Sequence, residues 1–234
     1  MGGLQVNYEV LGEIFKDQLN KERKERCKED GDYCKQEKFL SRLFGIFSEE
    51  IIDIWCQNYK SPYMNLGRPS LYKGDKYTKT TLDFTFQDQE SKEIYIVEMK
   101  CEIQYENFKY FHLRNEDELK KPPEGNGFLE HHRKKQAFEK FEELGESPEN
   151  YIVKYLDQET KEHCKVEKIA GIILIWGKVD QENIENKCIG GFHQILSVER
   201  MISDLVEWRD ENYKSMIAEY QCWSNDMFNQ LVGK

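Results

Sequence analysis

Three side chains that suit metal-dependent chemistry lie within one short stretch of the chain, residues 81–102. Asp83 lies in a run where apolar and polar residues alternate, and Glu98 follows after fourteen intervening residues, with Lys100 two residues later. Because strand side chains alternate between two faces, Glu98 and Lys100 point to one face and Met99 to the other. The surrounding residues are apolar, so both charges are expected to be partly buried, which is unfavourable without a partner or a metal ion.

The polar residues 87–93 predict a turn that folds the two strands onto each other as a hairpin. Strand pairing would then bring Asp83 beside Glu98, and two carboxylates at that separation can hold a hard divalent cation such as Mg²⁺. Such a cation lowers the pKa of a bound water and neutralises charge on a phosphate, while Lys100 orients the nucleophile and stabilises developing negative charge. The stretch therefore predicts hydrolysis of a phosphodiester.

Asp83 followed by Glu98-Met99-Lys100 resembles the motif of the PD-(D/E)xK nuclease superfamily, with Leu82 where the motif's proline would stand. The resemblance implies a restriction-endonuclease-like fold, an α/β sandwich with a central mixed β-sheet flanked by helices. It also implies Mg²⁺ as cofactor, with Mn²⁺ as a substitute, and DNA as substrate. In this interpretation Asp83 and Glu98 bind the metal, and Lys100 positions a metal-bound water for direct attack. The alternative is a half-exposed hairpin on which Glu98 and Lys100 pair across the surface.

The resemblance also implies a third acid, supplied by a helix before the first catalytic strand. Residues 38–58 predict such a helix, because apolar residues recur there at steps of three and four. Glu50 lies close to the apolar face and is the preferred third metal ligand. Glu49 points away from that face but follows Gly45 by four residues, a spacing that resembles some family members, so it is the second choice. Either glutamate could instead be a solvated helix charge.

A second amphipathic helix is predicted over residues 128–144, and it opens with a basic segment. The resemblance implies that this helix contacts the DNA backbone. The candidate contacts are Arg133, Lys134, Lys135 and Gln136. A solvated helix face is the alternative. His131 and His132 do not predict zinc, because neighbouring helix positions diverge and no cysteine lies at ligand spacing. Arg68, in a turn-like stretch before the first catalytic strand, is a further candidate for contact with DNA.

The remaining segments complete an α/β pattern. Residues 169–179 form the most apolar run in the chain, which is too short to span a bilayer and predicts a central strand buried on both faces. Residues 189–193 predict a short edge strand. Residues 196–206 predict a helix that begins near Ser197 and continues towards Leu231. A further pair of strands is predicted over residues 151–156 and 164–166.

Length favours one nuclease domain over residues 1–234, with its core at residues 38–206. The net charge of −10, from 34 basic and 44 acidic residues, is unusual for a protein that binds phosphates. Bound metal and a local basic face on a dimer would offset it. Seven cysteines without a CxxC pair, and no signal peptide or transmembrane segment, predict reduced thiols, a cytoplasmic location and no membrane association.

The sequence thus predicts a magnesium-dependent endodeoxyribonuclease. Its single-domain size resembles that of type II restriction enzymes, which act as homodimers. Because the same fold serves several functions, the alternatives are a DNA repair or processing nuclease and a catalytically silent nucleic-acid-binding or assembly protein. A thiol protease is disfavoured because no family signature surrounds any cysteine. A nucleotide transferase is disfavoured because Gly190-Gly191 is too little for a phosphate-binding loop.

Overall fold

Two β-sheets and the helices around them make up the computed structural model, which describes residues 35–74, 76–101, 103–104, 109–110, 112–120, 136–157, 160–180, 188 and 190–231. The helices are α1 (Lys35–Gln57), α2 (Glu116–Lys120), α3 (Gln136–Glu146), α4 (Val198–Glu207) and α5 (Glu211–Leu231). The longer strands are β1 (Tyr63–Gly67), β2 (Pro69–Lys73), β3 (Lys76–Thr81), β4 (Phe84–Asp88), β5 (Ile94–Lys100), β9 (Ile152–Leu156), β10 (His163–Val166), β11 (Gly171–Trp176) and β13 (Gln194–Ser197). The two-residue strands are β6 (Ile103–Gln104), β7 (Lys109–Tyr110), β8 (His112–Leu113) and β12 (Lys178–Val179).

The central sheet has the order β1-β4-β5-β11-β13 and is mixed. β4 runs antiparallel to β1 and β5, whereas β11 runs parallel to both β5 and β13. Alternate residues of β11 enter two different cores, Ile173 and Ile175 on one side and Ile172 and Leu174 on the other. Burial on both faces explains why this strand reads as an unbroken apolar run. The predicted α/β architecture with a central mixed sheet and helices is therefore confirmed.

The helix predicted over residues 38–58 is α1, which begins at Lys35 and ends at Gln57. Ile51, Ile52 and Trp55 on this helix are buried in the core on one side of the central sheet. α4 lies in the same layer and packs against α1. None of the described helices combines the length and the apolar character that crossing a membrane requires.

The predicted catalytic hairpin is formed by β4 and β5, with Phe84 opposite Val97. Its turn begins at Asp88, whose Oδ1 accepts hydrogen bonds from the backbone N–H groups of Glu90 and Ser91 at 2.9 and 2.7 Å. Lys92, at φ 63°, closes the turn. Leu82 departs from the predicted alternation, because β4 begins only at Phe84 and Leu82 packs in the core on the other side of the sheet.

A second, antiparallel sheet has the order β10-β9-β2-β3. The predicted pairing of residues 151–156 with residues 164–166 is confirmed by β9 and β10. β2 and β3 were not predicted, since their many lysines and threonines weaken the apolar alternation that marks a strand. The inner face of this sheet buries Leu71, Val153 and Val166 with Phe141 of α3.

The C-terminal segments differ from the sequence prediction in two respects. The edge strand is β13 at Gln194–Ser197, not residues 189–193, so α4 begins at Val198 with Ser197 as its N-cap. The predicted continuous helix is interrupted after α4, where Arg209 adopts φ 57°. α5 then begins anew, with Asp210 Oδ1 accepting a hydrogen bond from Tyr213 N at 2.9 Å. A side-chain cap of this kind competes with helix continuation and permits a change of direction.

Candidate functional site

Asp83 lies in the bend immediately before β4, at one end of the strands of the central sheet. The β4–β5 register places Phe84 opposite Val97, so that the position before Phe84 falls beside Glu98. The Asp83 Oδ2 atom accepts a hydrogen bond from the backbone N–H of Met99 at 2.7 Å. The hairpin therefore brings Asp83 and Glu98 together, as the residue spacing predicts.

Glu98 and Lys100 are neighbours on one face of β5. The Glu98 Oε1 atom pairs with Lys100 Nζ, which also donates to the Met99 carbonyl at 3.0 Å. Their side chains are only 6% and 15% exposed, so this pair does not lie across an open surface. The half-exposed hairpin that the sequence allowed as an alternative is thus not what the structure shows.

The second carboxylate oxygen of Glu98, Oε2, is buried and has no hydrogen-bond partner in the part of the chain that the structure describes. A buried carboxylate oxygen without a donor is costly, because it has lost water and gained nothing in exchange. The pKa of Glu98 is raised to about 7, chiefly by burial and then by the negative charge of Asp83 and a hydrogen bond with it, while Lys100 opposes these effects. A cation at Oε2 would remove this penalty and favour the ionised carboxylate.

Glu49 and Glu50, the two candidates for a third acid, take different directions from α1. Glu49 forms an ion pair with Arg68, and Asp83 lies near enough to contribute to its raised pKa, of which burial is the largest cause. Glu50 Oε2 instead accepts a hydrogen bond from the Tyr220 hydroxyl at 2.8 Å. The geometry therefore favours Glu49 over Glu50 as the third acid, because Glu49 lies near Asp83 whereas Glu50 is engaged by Tyr220 of α5.

Arg68 reaches Glu49 from a turn that has an internal support. Asn65 Nδ2 donates to Asp53 Oδ1 at 2.6 Å, and Asn65 Oδ1 accepts from the backbone N–H of Gly67 at 3.0 Å. The β1–β4 register shifts between Asn65 and Gly67, and Gly67 has φ 117°, a conformation that favours glycine. The support that Asp53 gives to this turn was not predicted, although the Asn-x-Gly spacing of residues 65–67 was a usable signal for such a bulge.

The basic segment expected to contact the DNA backbone lies largely outside the described residues. This applies to Arg133, Lys134 and Lys135, and Gln136 is described only as the first residue of α3. The described part of α3 adds Lys140, whose Nζ donates to the Thr78 carbonyl and to Thr80 Oγ1, both at 3.1 Å. Lys140 therefore ties α3 to β3.

The residues present fit a magnesium ion held by few protein ligands. Within the described ranges, no group of three or more histidine, cysteine, aspartate or glutamate side chains is arranged to hold a metal. Mg²⁺, however, usually keeps several waters and takes one or two carboxylates, with a substrate phosphate completing the shell. Asp83 and Glu98 provide two hard oxygen donors, and the unpartnered Glu98 Oε2 is an acceptor suited to a cation.

Comparison of the chain with protein-family models, with curated proteins and with solved structures finds no match. The functional assignment therefore depends on the chemistry of the residues around Asp83.

Proposed function

We propose that this chain is a magnesium-dependent endodeoxyribonuclease of the restriction-endonuclease-like fold. The observation that carries the proposal is the unpartnered, buried Oε2 atom of Glu98, next to Asp83 and Lys100 in a hairpin of the central sheet. A charge arrangement with this energetic cost is common at functional sites, where the missing partner is a ligand. α1, which carries Glu49 to the vicinity of Asp83, supports the same fold assignment.

In the proposed mechanism Asp83 and Glu98 would hold the metal. When bound, Mg²⁺ supplies charge that stabilises the phosphate and makes water a better nucleophile. The Met99 N–H fixes the orientation of the Asp83 carboxylate, and the β5 backbone fixes Glu98 and Lys100 on one face. Lys100 Nζ, already paired with Glu98, would orient the attacking water and stabilise charge on the phosphoryl oxygens as the P–O bond to the leaving sugar oxygen breaks.

Arg68 and Glu49 form the outer part of the proposed site. The Arg68 side chain is 57% exposed, so that it can exchange its partner Glu49 for a substrate phosphate. Glu49 would then be free to join Asp83 at the metal, directly or through water. Since no three-carboxylate group is arranged to hold a metal within the described residues, a third carboxylate would have to join the site through such an exchange.

Cleavage of duplex DNA on both strands would follow if two copies of the chain act together, as in type II restriction enzymes. Each chain has one Asp83–Glu98 pair and hence one proposed metal site, so a homodimer is needed to cut both strands of a symmetric site at once. A repair or processing nuclease would instead act on one strand or on a branched substrate.

The direct test is cleavage of plasmid and phage DNA by wild type, Asp83→Ala and Lys100→Ala, with Mg²⁺ or with EDTA. We expect Mg²⁺-dependent cleavage by wild type and a loss of about 10²–10³-fold or more in each variant, the effect of removing one preorganised charge. Lys178→Ala, which removes an exposed ion pair with Glu199, is the matched control and should cleave normally. Discrete fragment ends would identify a sequence-specific enzyme.

A catalytically silent nucleic-acid-binding protein is the second candidate. It is favoured by the Glu98–Lys100 ion pair, which gives the buried carboxylate one partner without any metal. In that case no divalent ion would raise the melting temperature of wild type. Binding of Mg²⁺ or Mn²⁺ by wild type but not by Asp83→Ala would exclude a silent protein.

A further inference from the structure

The second sheet, β10-β9-β2-β3, has one buried face and one open face. Its four strands contain no aspartate or glutamate, although the whole chain carries a net charge of −10. The lysines of these strands are Lys73, Lys76, Lys79, Lys154 and Lys165. In so acidic a protein, a sheet with only basic charges is a distinct feature of the surface.

The open face is called the outer face. It is the side of the sheet opposite the one on which Leu71 is buried, and the strand register identifies the residues that lie on it. Tyr72 of β2 is opposite Tyr77 of β3, and Lys154 of β9 is opposite Lys165 of β10. Directly opposed residues of antiparallel strands share a face, and alternation places all four of these side chains away from the core. Two tyrosines and two lysines therefore lie on one side of four adjacent strands.

The aromatic rings of the outer face are held in place by their neighbours. The Tyr72 and Tyr77 ring centroids are 5.3 Å apart, and Lys154 Nζ lies 4.9 Å from the Tyr72 centroid. The Tyr77 hydroxyl hydrogen-bonds with Thr81 Oγ1 at 3.1 Å, yet Tyr77 remains 45% exposed. A large aromatic side chain that is both fixed and open is suited to stacking against a flat ligand.

The outer face ends at the proposed catalytic site. β2 begins directly after Arg68, and β3 ends at Thr81, two residues before Asp83. Ser70 is opposite Thr81, and the Leu82 N–H donates to the Pro69 carbonyl at 3.3 Å. The start of β2 and the end of β3 therefore lie side by side at one end of the sheet. A strand of nucleic acid that leaves the carboxylates can therefore continue across β2 and β3.

We propose that the outer face binds unpaired bases of the substrate, with Tyr72 and Tyr77 as stacking platforms and Lys154 and Lys165 as phosphate contacts. This inference rests on the proposed nuclease function and, within it, favours a repair or processing nuclease that acts on nucleic acid with a single-stranded segment beside the cleavage site. Aromatic stacking with cationic neighbours is the usual means of binding single strands without sequence preference. Paired bases in a duplex do not present their flat faces, so the tyrosines select for unpaired ones.

The test is fluorescence anisotropy with the full chain, a fluorescein-labelled single-stranded oligonucleotide and a duplex of equal length, in EDTA so that no cleavage occurs. We expect wild type to prefer the single strand. Tyr77→Ala should weaken its binding roughly fivefold or more, because base stacking on an aromatic side chain contributes about 1–3 kcal/mol. Tyr77→Phe keeps the ring and should bind like wild type, provided that both variants melt like wild type.

The double substitution Lys154→Gln/Lys165→Gln should reduce the salt dependence of single-strand binding by about 1.4 in the log–log slope, as expected for two lost phosphate contacts. Tyr59→Ala and Lys60→Gln are the matched controls. Lys60 Nζ lies 5.8 Å from the ring of Tyr59, which is 84% exposed, and this pair lies near the β4–β5 turn, at the far end of β4 from Asp83. Neither control should change the affinity.

Equal binding by wild type, Tyr77→Ala and the double lysine variant would overturn the assignment of the outer face, as would a preference of wild type for duplex. Neither result would affect the nuclease proposal, which depends on Mg²⁺-dependent cleavage. Conversely, loss of binding in the outer-face variants together with no cleavage by wild type would support the surface and refute the nuclease.

Discussion

Two glutamates lie near Asp83, and each forms an ion pair. One pair is buried in a strand, and the other is exposed between a helix and a turn. Glu98 and Lys100 belong to one strand of the central sheet, with side chains 6% and 15% exposed. Glu49 and Arg68 join a helix to a turn, with side chains 34% and 57% exposed. The buried pair is held by the backbone of β5, whereas the exposed pair is held only by the two side chains themselves.

The difference between the two pairs assigns them different tasks in the proposed mechanism. Separating a buried ion pair costs several kcal/mol, about 3–5, so Glu98 and Lys100 are suited to remain in fixed positions and to orient the substrate. An exposed pair contributes little to stability and exchanges partners readily, which suits Arg68 to meet an incoming phosphate. Three predictions test this contrast, two by substitution and one by a change of pH.

The largest effect is expected for the buried pair. Lys100→Met should lower the free energy of unfolding by about 3 kcal/mol at about pH 8, because it leaves the Glu98 carboxyl group buried without its partner. Below pH 7 the loss should shrink, since Glu98 then takes up a proton. Urea unfolding in EDTA measures both values. Glu98→Gln added to Lys100→Met should restore most of the stability, and a loss below about 1 kcal/mol at about pH 8 would contradict the burial argument.

A smaller effect is expected from pH on metal binding. Because burial raises the pKa of Glu98 to about 7, protons and metal compete for its carboxylate near neutral pH. The affinity for Mn²⁺ should therefore fall by up to about tenfold per pH unit below 7 and change little above it. In the metal-free protein, the effect of Glu98 on folding stability has the opposite dependence on pH. The contribution of Glu98 to stability is present below pH 4.5 and is lost as the pH rises through about 7.

Calorimetric titration of Mn²⁺ at about pH 6 and about pH 8 measures this dependence. Glu98→Gln cannot titrate at this position and should bind Mn²⁺ weakly at both values. Equal affinity of wild type at both pH values would mean that Glu98 is not a metal ligand.

The smallest effect on stability is expected for the exposed pair. Arg68→Ala should change the free energy of unfolding by less than about 1 kcal/mol, the usual range for exposed ion pairs. Its affinity for Mn²⁺ should rise about two- to fivefold, because Glu49 loses a competing cation, while affinity for DNA should fall.

Lys73→Ala is the matched control for Arg68→Ala. It removes another exposed ion pair, to Glu143 at 3.0 Å, on the strand that follows Arg68. This variant should resemble Arg68→Ala in stability and wild type in Mn²⁺ affinity. Unchanged Mn²⁺ affinity in Arg68→Ala would show that Glu49 does not reach the metal.

Much of the site could be predicted from local patterns. Strand alternation and a polar turn are encoded within residues 82–100, so the sequence predicted that Asp83 would meet Glu98 and that Lys100 would share its face. The helical period over α1 was equally local. Neither pattern, however, could tell Glu49 from Glu50, because their directions depend on Arg68 and Tyr220, which are distant in sequence.

The second sheet could not be predicted from the sequence for a different reason. β2 and β3 pair with each other, and β2 also pairs with β9, which lies more than seventy residues away in the chain. Their outer positions are polar or aromatic and their threonines serve either face, which leaves only a weak period. Likewise, the end of α4 depends on a cap at Asp210 that periodicity does not detect.

Local sequence patterns were enough to predict the α/β class, the β4–β5 hairpin and the three charged residues of the candidate site, because these depend on contacts between neighbours in the chain. Long-range packing sets which α1 glutamate lies near Asp83, where Arg68 is held and which face of the second sheet is open. Each of these depends on segments far apart in sequence that pack together, and the free energy of that packing is not contained in any local pattern.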